Sequence, residues 1–301
     1  MRVLITGATG LVGSQLVALL LQNGVVVHYL TTSRKKIESQ ANYHGFYWNP
    51  SQGIIDENAL MGVDAIVHLA GANIAHRWTE SYKQEIIESR ILSSNVLFKA
   101  LKENPHSVKQ IISASAIGIY PDSPHKVYDE EETTVGDNFL GNVVATWEES
   151  VNKFKLLKLN VCKIRIGLVL SDKGGALAEM VKPIKMGFGT PFGSGKQMQS
   201  WIHIHDLVEI FYFAIQNQLE GTYNAVAPNP VTNKTLTQEI AKCLNKPLFM
   251  PNIPRLMMKI MLGEMHTILF ESQHVSSKKI EKAGFTFQYK TVEKALQHLL
   301  T

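Results

Sequence analysis

An apolar strand that runs directly into a turn of regularly spaced glycines constrains this chain more than any other feature. Residues 2–6 read Arg-Val-Leu-Ile-Thr, and Gly7, Gly10 and Gly13 follow at intervals of three before an apolar helical stretch. Glycines let the backbone approach a ligand closely, and the N–H groups at the start of a helix attract an anion. A second apolar run at 25–30 completes a strand–turn–helix–strand unit. This order predicts a site for the diphosphate of a dinucleotide; a plain turn between strand and helix is the alternative. The residues assigned to the diphosphate site are Gly7, Thr9, Gly10, Leu11, Val12 and Gly13.

The residues after the second strand indicate which dinucleotide the site prefers. In NAD-binding proteins an acidic residue about 20 residues beyond the glycine turn accepts hydrogen bonds from the ribose hydroxyl. Here the chain reads Thr-Thr-Ser-Arg-Lys-Lys over 31–36, and the first carboxylate is that of Glu38. Thr32, Ser33 and Arg34 offer hydrogen-bond donors and a cation where a carboxylate would repel a phosphate. We therefore predict NADP(H) as cofactor; a solvated basic loop is the alternative.

Composition excludes several classes of protein. The 301 residues, 45% of them hydrophobic, suffice for one large or two modest domains. The net charge of +4 arises from interspersed charges, so no nucleic-acid partner is indicated. The two cysteines have no metal-ligand spacing, and no metal is predicted. No apolar run approaches the ~20 residues that span a bilayer, and we expect no removable signal sequence, because the first residues already form a core strand. We expect a cytoplasmic protein with a small-molecule substrate and no membrane partner; the sequence does not indicate an oligomeric state.

Short apolar runs alternate with helical segments, which is typical of a parallel sheet covered on both faces. Strands are predicted at 2–6, 25–30, 64–69, 109–114 and 161–166. Helices are predicted at 11–22, 79–103, 138–157, 205–217, 234–244, 256–262 and 291–300. The chain is thus predicted to form an α/β fold, a doubly wound parallel Rossmann-type sheet with a smaller C-terminal substrate lobe. Residues 1–170 would form the nucleotide-binding domain, rejoined by a strand and helix from about 198–228, and 171–301 mainly the lobe.

Several features of the lobe have structural rather than chemical interpretations. The methionines of the helix predicted at 256–262 have helical spacing and are expected in the core. His203 and His205 are interpreted as packing groups and Asp206 as a helix N-cap. The glycine-rich stretch 187–195 is either a substrate-facing loop or a flexible connection.

Four residue patterns together resemble one enzyme superfamily. They are Thr6-Gly7-x-x-Gly10-x-x-Gly13, Leu69-Ala70-Gly71, Ser113-Ala-Ser115 and Trp201-Ile-His203-Ile-His205-Asp206. The chain resembles the extended short-chain dehydrogenases/reductases, in particular their sugar-nucleotide-epimerase-like "epimerase family". The resemblance covers essentially the whole chain and implies NADP(H) as cofactor. By the resemblance, the further cofactor contacts are Ser33 and Arg34 at the 2′-phosphate, Leu69 and Ala70 on the adenosine side, and Glu85, Arg90 and Leu170. Ala70 and Gly71, as small residues after an apolar strand, also let a cofactor lie against the backbone; a simple turn is the alternative.

The acid/base pair usual in this superfamily is absent. A Tyr-x-x-x-Lys turn places an ammonium beside a phenol and lowers its pKa. No tyrosine of this chain has a lysine four residues later, and the helical stretch 139–148 contains neither residue type. Ser115 stands where the superfamily has a hydroxyl donor, and Tyr120 follows on the next loop. Both are catalytic candidates for a reduction; the alternative for Tyr120 is that it packs the loop.

The sequence therefore predicts an NADP(H)-binding, oxidoreductase-like protein acting on a small carbonyl compound or a nucleotide sugar. Since fold and cofactor do not fix the reaction, two alternatives stay open. One is a non-catalytic protein that senses NADP(H) or serves as an interaction module. The other is a nucleotide-sugar epimerase with a relocated base.

Overall fold

The computed structural model describes residues 1–301 as fifteen strands and ten α-helices. The strands are β1 Arg2–Thr6, β2 Val26–Thr31, β3 Ser39–Gln40, β4 Tyr43–Asn49, β5 Ile54–Ile55, β6 Ala65–His68, β7 Gln110–Ala116, β8 Val127–Tyr128, β9 Asn160–Ile166, β10 Leu168–Leu170, β11 Met198–Gln199, β12 Trp201–His203, β13 Gly221–Ala225, β14 Val231–Thr232 and β15 His274–Val275. The helices are α1 Leu11–Gln22, α2 Glu80–Glu103, α3 Phe139–Asn152, α4 Gly175–Lys185, α5 Ile204–Gln216, α6 Asn233–Cys243, α7 Arg255–Leu262, α8 Thr267–Phe270, α9 Lys278–Lys282 and α10 Val292–Leu300.

The central sheet is parallel across its middle and covered on both faces. Its order is β13-β9-β7-β6-β1-β2-β4-β3, and only the pairings of β4 with the short β3 and β5 are antiparallel. On β7, the Gln110 side chain donates to a carbonyl of α5, whereas the Ser115 side chain reaches α3. Because side chains alternate along a strand, α5 and α3 lie on opposite faces. The doubly wound α/β prediction is confirmed, and all carboxyl ends of the parallel strands meet at one edge.

The predicted strands and helices are present, with ends within two residues except for one helix. The helix predicted at 138–157 ends as an α-helix at Asn152 and continues as a 3₁₀-helix to Leu157. The strand predicted at 109–114 extends to Ala116. The strands were predicted from continuous apolar runs and the helices from longer apolar or amphipathic stretches between them.

Strand β4 was missed because its sequence, Tyr-His-Gly-Phe-Tyr-Trp-Asn, lacks the apolar run of a buried strand. A glycine within a strand normally weakens it. Here a Cβ atom at Gly45 would lie 2.4 Å from the hydroxyl oxygen of Tyr29 on β2. The glycine makes room for a neighbouring aromatic side chain, a contact that exists only once the two strands pair.

The C-terminal part of the chain has a core of its own and returns to the central sheet. A cluster of 13 buried residues, among them Leu170, Leu236 and Leu296, forms this core. Strand β13 pairs with β9 at the edge of the central sheet. Helix α4 was not predicted, because glycines precede it and Pro183 lies inside its last turn. None of the helices has the length and apolarity needed to cross a membrane.

One capping prediction is wrong. Helix α5 is capped by His203, whose Nδ1 accepts the N–H of His205 at 3.0 Å. The Asp206 carboxylate lies in the first turn and accepts the backbone N–H groups of Gln288 and Tyr289 at 2.9 and 3.0 Å. Asp206 therefore attaches the segment before α10 to α5, a long-range contact with no local sequence pattern.

Candidate functional site

The glycine turn after β1 leaves the start of α1 open to an anion. Gly7 has φ +74°, and Gly10 precedes α1 with no side chain capping the helix and no acidic residue in its first turn. A Cβ atom at Gly13 would lie 2.1 Å from the Gly7 carbonyl oxygen, so only glycine fits at position 13. The first N–H groups of α1 thus lack protein partners, and together with the helix dipole they attract a phosphate.

The turn after β6 is tied to the glycine turn by a buried network. The Thr6 hydroxyl oxygen accepts the N–H groups of Leu69 and Ala70, both at 3.1 Å, and its proton faces His68 Nδ1 at 2.8 Å. Burial lowers the pKa of His68 to about 4, so the imidazole is neutral. Its Nε2 lies 3.2 Å from the Ser94 hydroxyl on α2. These contacts fix the distance between the two turns at the carboxyl ends of β1 and β6.

The basic segment after β2 is held in place by two tyrosines. Arg34 begins a 3₁₀-turn, and its Cζ lies 4.0 Å from the ring centroid of Tyr47 at the end of β4. The Tyr29 hydroxyl donates to the Lys36 carbonyl at 2.7 Å and accepts the Glu38 N–H at 2.8 Å. A guanidinium over an aromatic face is restrained by cation–π attraction. The segment is therefore anchored to the sheet, with the Arg34 cation at its exposed surface.

A cavity of about 510 Å³ connects these features. Its lining joins the glycine turn, the end of β2, the segment after β4, the turn after β6 and the first half of α2. The predicted residues that line it are Gly7, Thr9, Thr32, Ala70, Gly71 and Glu85. This volume suits a nucleotide-sized ligand. Trp48, Asn49, Pro50 and Ser51 line the same cavity and were missed as site residues, because they end or follow β4, the strand that lacked an apolar pattern.

The remaining predicted contacts surround the cavity or lie away from it. Gly10, Leu11, Val12 and Gly13 belong to the turn and to α1, and Ser33 and Arg34 adjoin the cavity at Thr32. Leu69 precedes the lining residues of the β6 turn. Leu170 is fully buried in the C-terminal core and does not line the cavity.

Arg90 lies directly behind the turn that follows β6. Its guanidinium donates to the carbonyls of Ile86 at 2.8 Å and Ala72 at 3.3 Å, and its Cζ lies 4.9 Å from the centroid of Trp147. Burial lowers the pKa of Arg90 to about 10, which leaves it charged near neutral pH. Its Nε is buried without a hydrogen-bond partner. The Arg90 side chain therefore lies against Gly71, with a positive charge and one N–H group that has no hydrogen-bond partner.

Both predicted catalytic hydroxyls are hydrogen-bonded within the protein, although Tyr120 lines a second cavity of about 320 Å³. The Ser115 hydroxyl is buried and donates to Glu148 Oε1 at 2.6 Å. The buried Tyr120 hydroxyl donates to Asn224 Oδ1 at 2.8 Å and accepts from Arg165 at 3.0 Å. Burial raises the pKa of Tyr120 to about 12. Tyr120 packs the loop after β7, and both hydroxyls would have to leave their partners to reach a substrate.

Glu148 and Arg165 form the centre of this hydrogen-bond network, and both line the second cavity. Arg165 donates to both Glu148 oxygens, at 2.8 and 3.0 Å, and Lys163 Nζ lies 3.1 Å from one of them. Burial opposes ionisation of Glu148, but Arg165 outweighs it and holds the pKa of the carboxyl below its usual range. A buried bidentate pair of this kind ties α3 to β9 and is strongly directional.

A carboxyl group that sequence reasoning missed lies at the start of α3. The Asn138 side chain caps α3 by accepting the Gly141 N–H at 2.8 Å, and its Nδ2 donates to Glu271 Oε1 at 2.8 Å. Burial, with the Asp122 carboxylate, raises the pKa of Glu271 to about 7. Glu271 is separated from α3 by more than a hundred residues and lies in no motif, so no sequence pattern indicated it.

The fold and the open glycine turn define a Rossmann-type, dinucleotide-binding protein of the short-chain dehydrogenase/reductase class. Residues 3–226 match the NAD dependent epimerase/dehydratase family, and residues 253–299 match a domain of unknown function. The chain belongs to the NAD dependent epimerase/dehydratase family, in its group of epimerase family proteins, as the relatives below also indicate.

An epimerase family protein of Staphylococcus aureus is 35% identical over 99% of this chain and 98% of its own length. The crystal structure of a human epimerase family protein with NADPH has a TM-score of 0.86 and 29% identity, and covers 100% of this chain and 99% of the other. A nucleoside-diphosphate sugar epimerase from Corynebacterium glutamicum has a TM-score of 0.80 and 32% identity, with 100% of this chain and 58% of that chain covered.

Proposed function

We propose that this protein binds NADP(H) and uses it to reduce a small carbonyl compound or a nucleotide-linked sugar. The observation that carries the cofactor assignment is the Arg34 guanidinium, which is held over Tyr47 beside the cavity and has no carboxylate partner. An NAD-binding site would have an acidic residue at this position. The human relative crystallised with NADPH supports the same choice.

The residues fit the parts of such a cofactor. The N–H groups at the start of α1, above Gly10 and Gly13, suit the diphosphate. Thr32, Ser33 and Arg34 suit the additional phosphate, because a guanidinium and hydroxyls donate to phosphate oxygens. When bound, NADPH supplies a hydride.

Reduction of a carbonyl also consumes a proton, which one of the chain's own groups must deliver. Helix α3, which holds the acid/base pair in related enzymes, offers the apolar side chains of Phe139 and Leu140 in its first turn. Glu271 is hydrogen-bonded to the Asn138 cap of this same turn, and its pKa of about 7 keeps part of it protonated at neutral pH. Only one oxygen of Glu271 accepts a hydrogen bond from the protein, so the other can carry a proton. Glu271 is therefore the proposed proton donor, since an acid in reach of the site works best when its pKa is near the working pH.

A specific observation favours the second candidate, a non-catalytic protein that binds and senses NADP(H). The hydroxyls of Ser115 and Tyr120 are both buried and paired, and neither is available to a substrate in this arrangement. If Glu271 serves only to brace α3, the site binds a cofactor but lacks an acid.

An NADPH-oxidation assay over aldehydes, ketones and sugar nucleotides separates the two candidates. We expect turnover by the unmodified protein that declines as pH rises above about 7, because the protonated form of Glu271 is then lost. Glu271→Gln should abolish this turnover and keep NADPH affinity, whereas Tyr120→Phe should retain most of it. NADPH binding without turnover of any substrate would favour the sensor. Turnover with unchanged pH dependence in Glu271→Gln would exclude Glu271 as the donor.

A further inference from the structure

Helix α7 and the segment before it expose an unusual amount of apolar surface. Sequence periodicity predicted Met257, Met258 and Met261 in the core, but only Met258 is buried. The exposed apolar residues of this segment, called the α7 surface below, are Phe249, Met250, Leu256, Met257, Ile260 and Met261, each between 47 and 80% exposed. Single exposed apolar side chains are ordinary, whereas a group of six within 13 residues marks an interaction surface.

The α7 surface continues onto the end of α4. The Thr190 hydroxyl donates to the carbonyls of Met250 and Pro251, at 3.1 and 3.0 Å, and so joins the two segments. Two residues before Thr190, the Phe188 side chain is exposed, as is that of Met186. The fold thus brings two exposed apolar segments, distant in sequence, to one side of the C-terminal lobe.

All the Lys, Arg, Asp and Glu residues within these two segments are basic. Between Glu239 and Glu264 the chain has four cations and no carboxylate, and between Glu179 and Asp206 it has three lysines and no carboxylate. The cations are Lys182, Lys185, Lys196, Lys242, Lys246, Arg255 and Lys259. Only Lys182 and Lys242 form ion pairs with acidic residues. This bias is local, because the whole chain has 30 basic and 26 acidic residues.

We propose that the α7 surface docks onto an anionic lipid bilayer. Apolar side chains on a short helix that also carries cations enter the boundary between headgroups and acyl chains, while the cations meet lipid phosphates. Lys259 lies within the apolar group, and Arg255 begins the helix. No spanning helix is required for such peripheral binding. The sequence predicted no membrane partner, because it contains no apolar run long enough to span a bilayer.

Charge argues against a second copy of this chain as the partner. A two-fold contact through α7 would bring the only charged residues of this helix, the cations Arg255 and Lys259, from both copies into one interface. Like charges across an interface oppose association. An anionic bilayer neutralises the same cations.

Vesicle sedimentation with the full-length protein tests the proposal. We expect binding to vesicles of phosphatidylcholine with about one-third phosphatidylglycerol, and at least tenfold weaker binding to phosphatidylcholine alone, since each cation near an anionic surface contributes about fivefold in affinity. Leu256→Ser and Lys259→Glu should each weaken binding at least fivefold.

Matched controls lie in the 3₁₀-helix after α3, which packs on the core of the central sheet and not on the C-terminal core. Leu156 is 78% exposed there and Lys155 is exposed beside it, so Leu156→Ser and Lys155→Glu make the same changes away from the α7 surface. These controls should bind vesicles as the unmodified protein does. Equal binding to both vesicle types, or equal losses in controls and test variants, would overturn the proposal. A dimer seen by light scattering and abolished by Leu256→Ser would overturn it too, in favour of a second copy. NADPH affinity, measured in parallel, reports on the cofactor site separately.

Discussion

Replacement of Arg34 gives the sharpest test of the cofactor assignment. Arg34 forms no ion pair in the structure, and its guanidinium contacts only the Tyr47 ring. Its removal therefore breaks no charged pair of the fold. A hydrogen bond from a charged donor contributes about 1.5–3 kcal/mol, so Arg34→Ala should weaken NADPH binding roughly 10- to 150-fold. NADH lacks the additional phosphate, and its affinity should change by less than about threefold.

The measurement is a calorimetric titration of cofactor-free protein with NADPH and with NADH. Lys35→Ala is the matched control, because Lys35 is an exposed neighbour in the same 3₁₀-turn with no ion pair. It removes one positive charge without removing the proposed phosphate contact. Arg34→Glu should weaken NADPH binding more than Arg34→Ala, because a carboxylate repels the phosphate. Equal loss of NADPH and NADH affinity in Arg34→Ala, or equal loss in Lys35→Ala, would refute the reasoning.

Three further predictions concern the turn, the buried pair and the restraint on Arg34. Gly13→Ala should abolish NADPH binding in calorimetry, because its Cβ would lie 2.1 Å from a backbone oxygen; Ser14→Ala, exposed on the same helix, should bind normally. Glu148→Gln should lower the free energy of unfolding by about 3–5 kcal/mol in urea at pH 7, since it leaves a buried cation without its counter-charge. Because the pKa of Glu148 is depressed in the folded protein, its stabilisation is present at neutral pH and is lost as pH falls below about 4.3, so the difference between the two proteins should shrink there. Tyr47→Leu should reduce the preference for NADPH over NADH about two- to fivefold, as expected for an exposed cation–π contact, while Tyr47→Phe keeps it.

The strand–turn–helix beginning of the chain was predictable because its determinants are local. Apolar periodicity specifies β1 and α1, and the glycine spacing specifies the turn between them. The basic residues after β2 were likewise visible in the sequence, since their position follows from the length of a single βαβ unit.

The hydrogen-bond partners of the Ser115 and Tyr120 hydroxyls could not be predicted from local sequence. The sequence placed Ser115 and Tyr120 near the crevice, but their hydrogen bonds depend on partners from α3, β9 and β13. Whether a hydroxyl faces a ligand or a buried carboxylate is decided by packing between elements far apart in the chain.

The sequence by itself determined the five apolar strands β1, β2, β6, β7 and β9, the glycine turn and the basic segment, because residues close together in the chain specify each of them. Only the tertiary structure decided which ionisable groups are buried, which apolar side chains stay outside and which carboxyl group reaches the first turn of α3. Those properties depend on long-range burial, which changes both the pKa of a group and its access to a ligand. Glu271 and the α7 surface are the two results of this kind: one is an acid with a raised pKa, the other a helix whose apolar side chains the fold leaves uncovered.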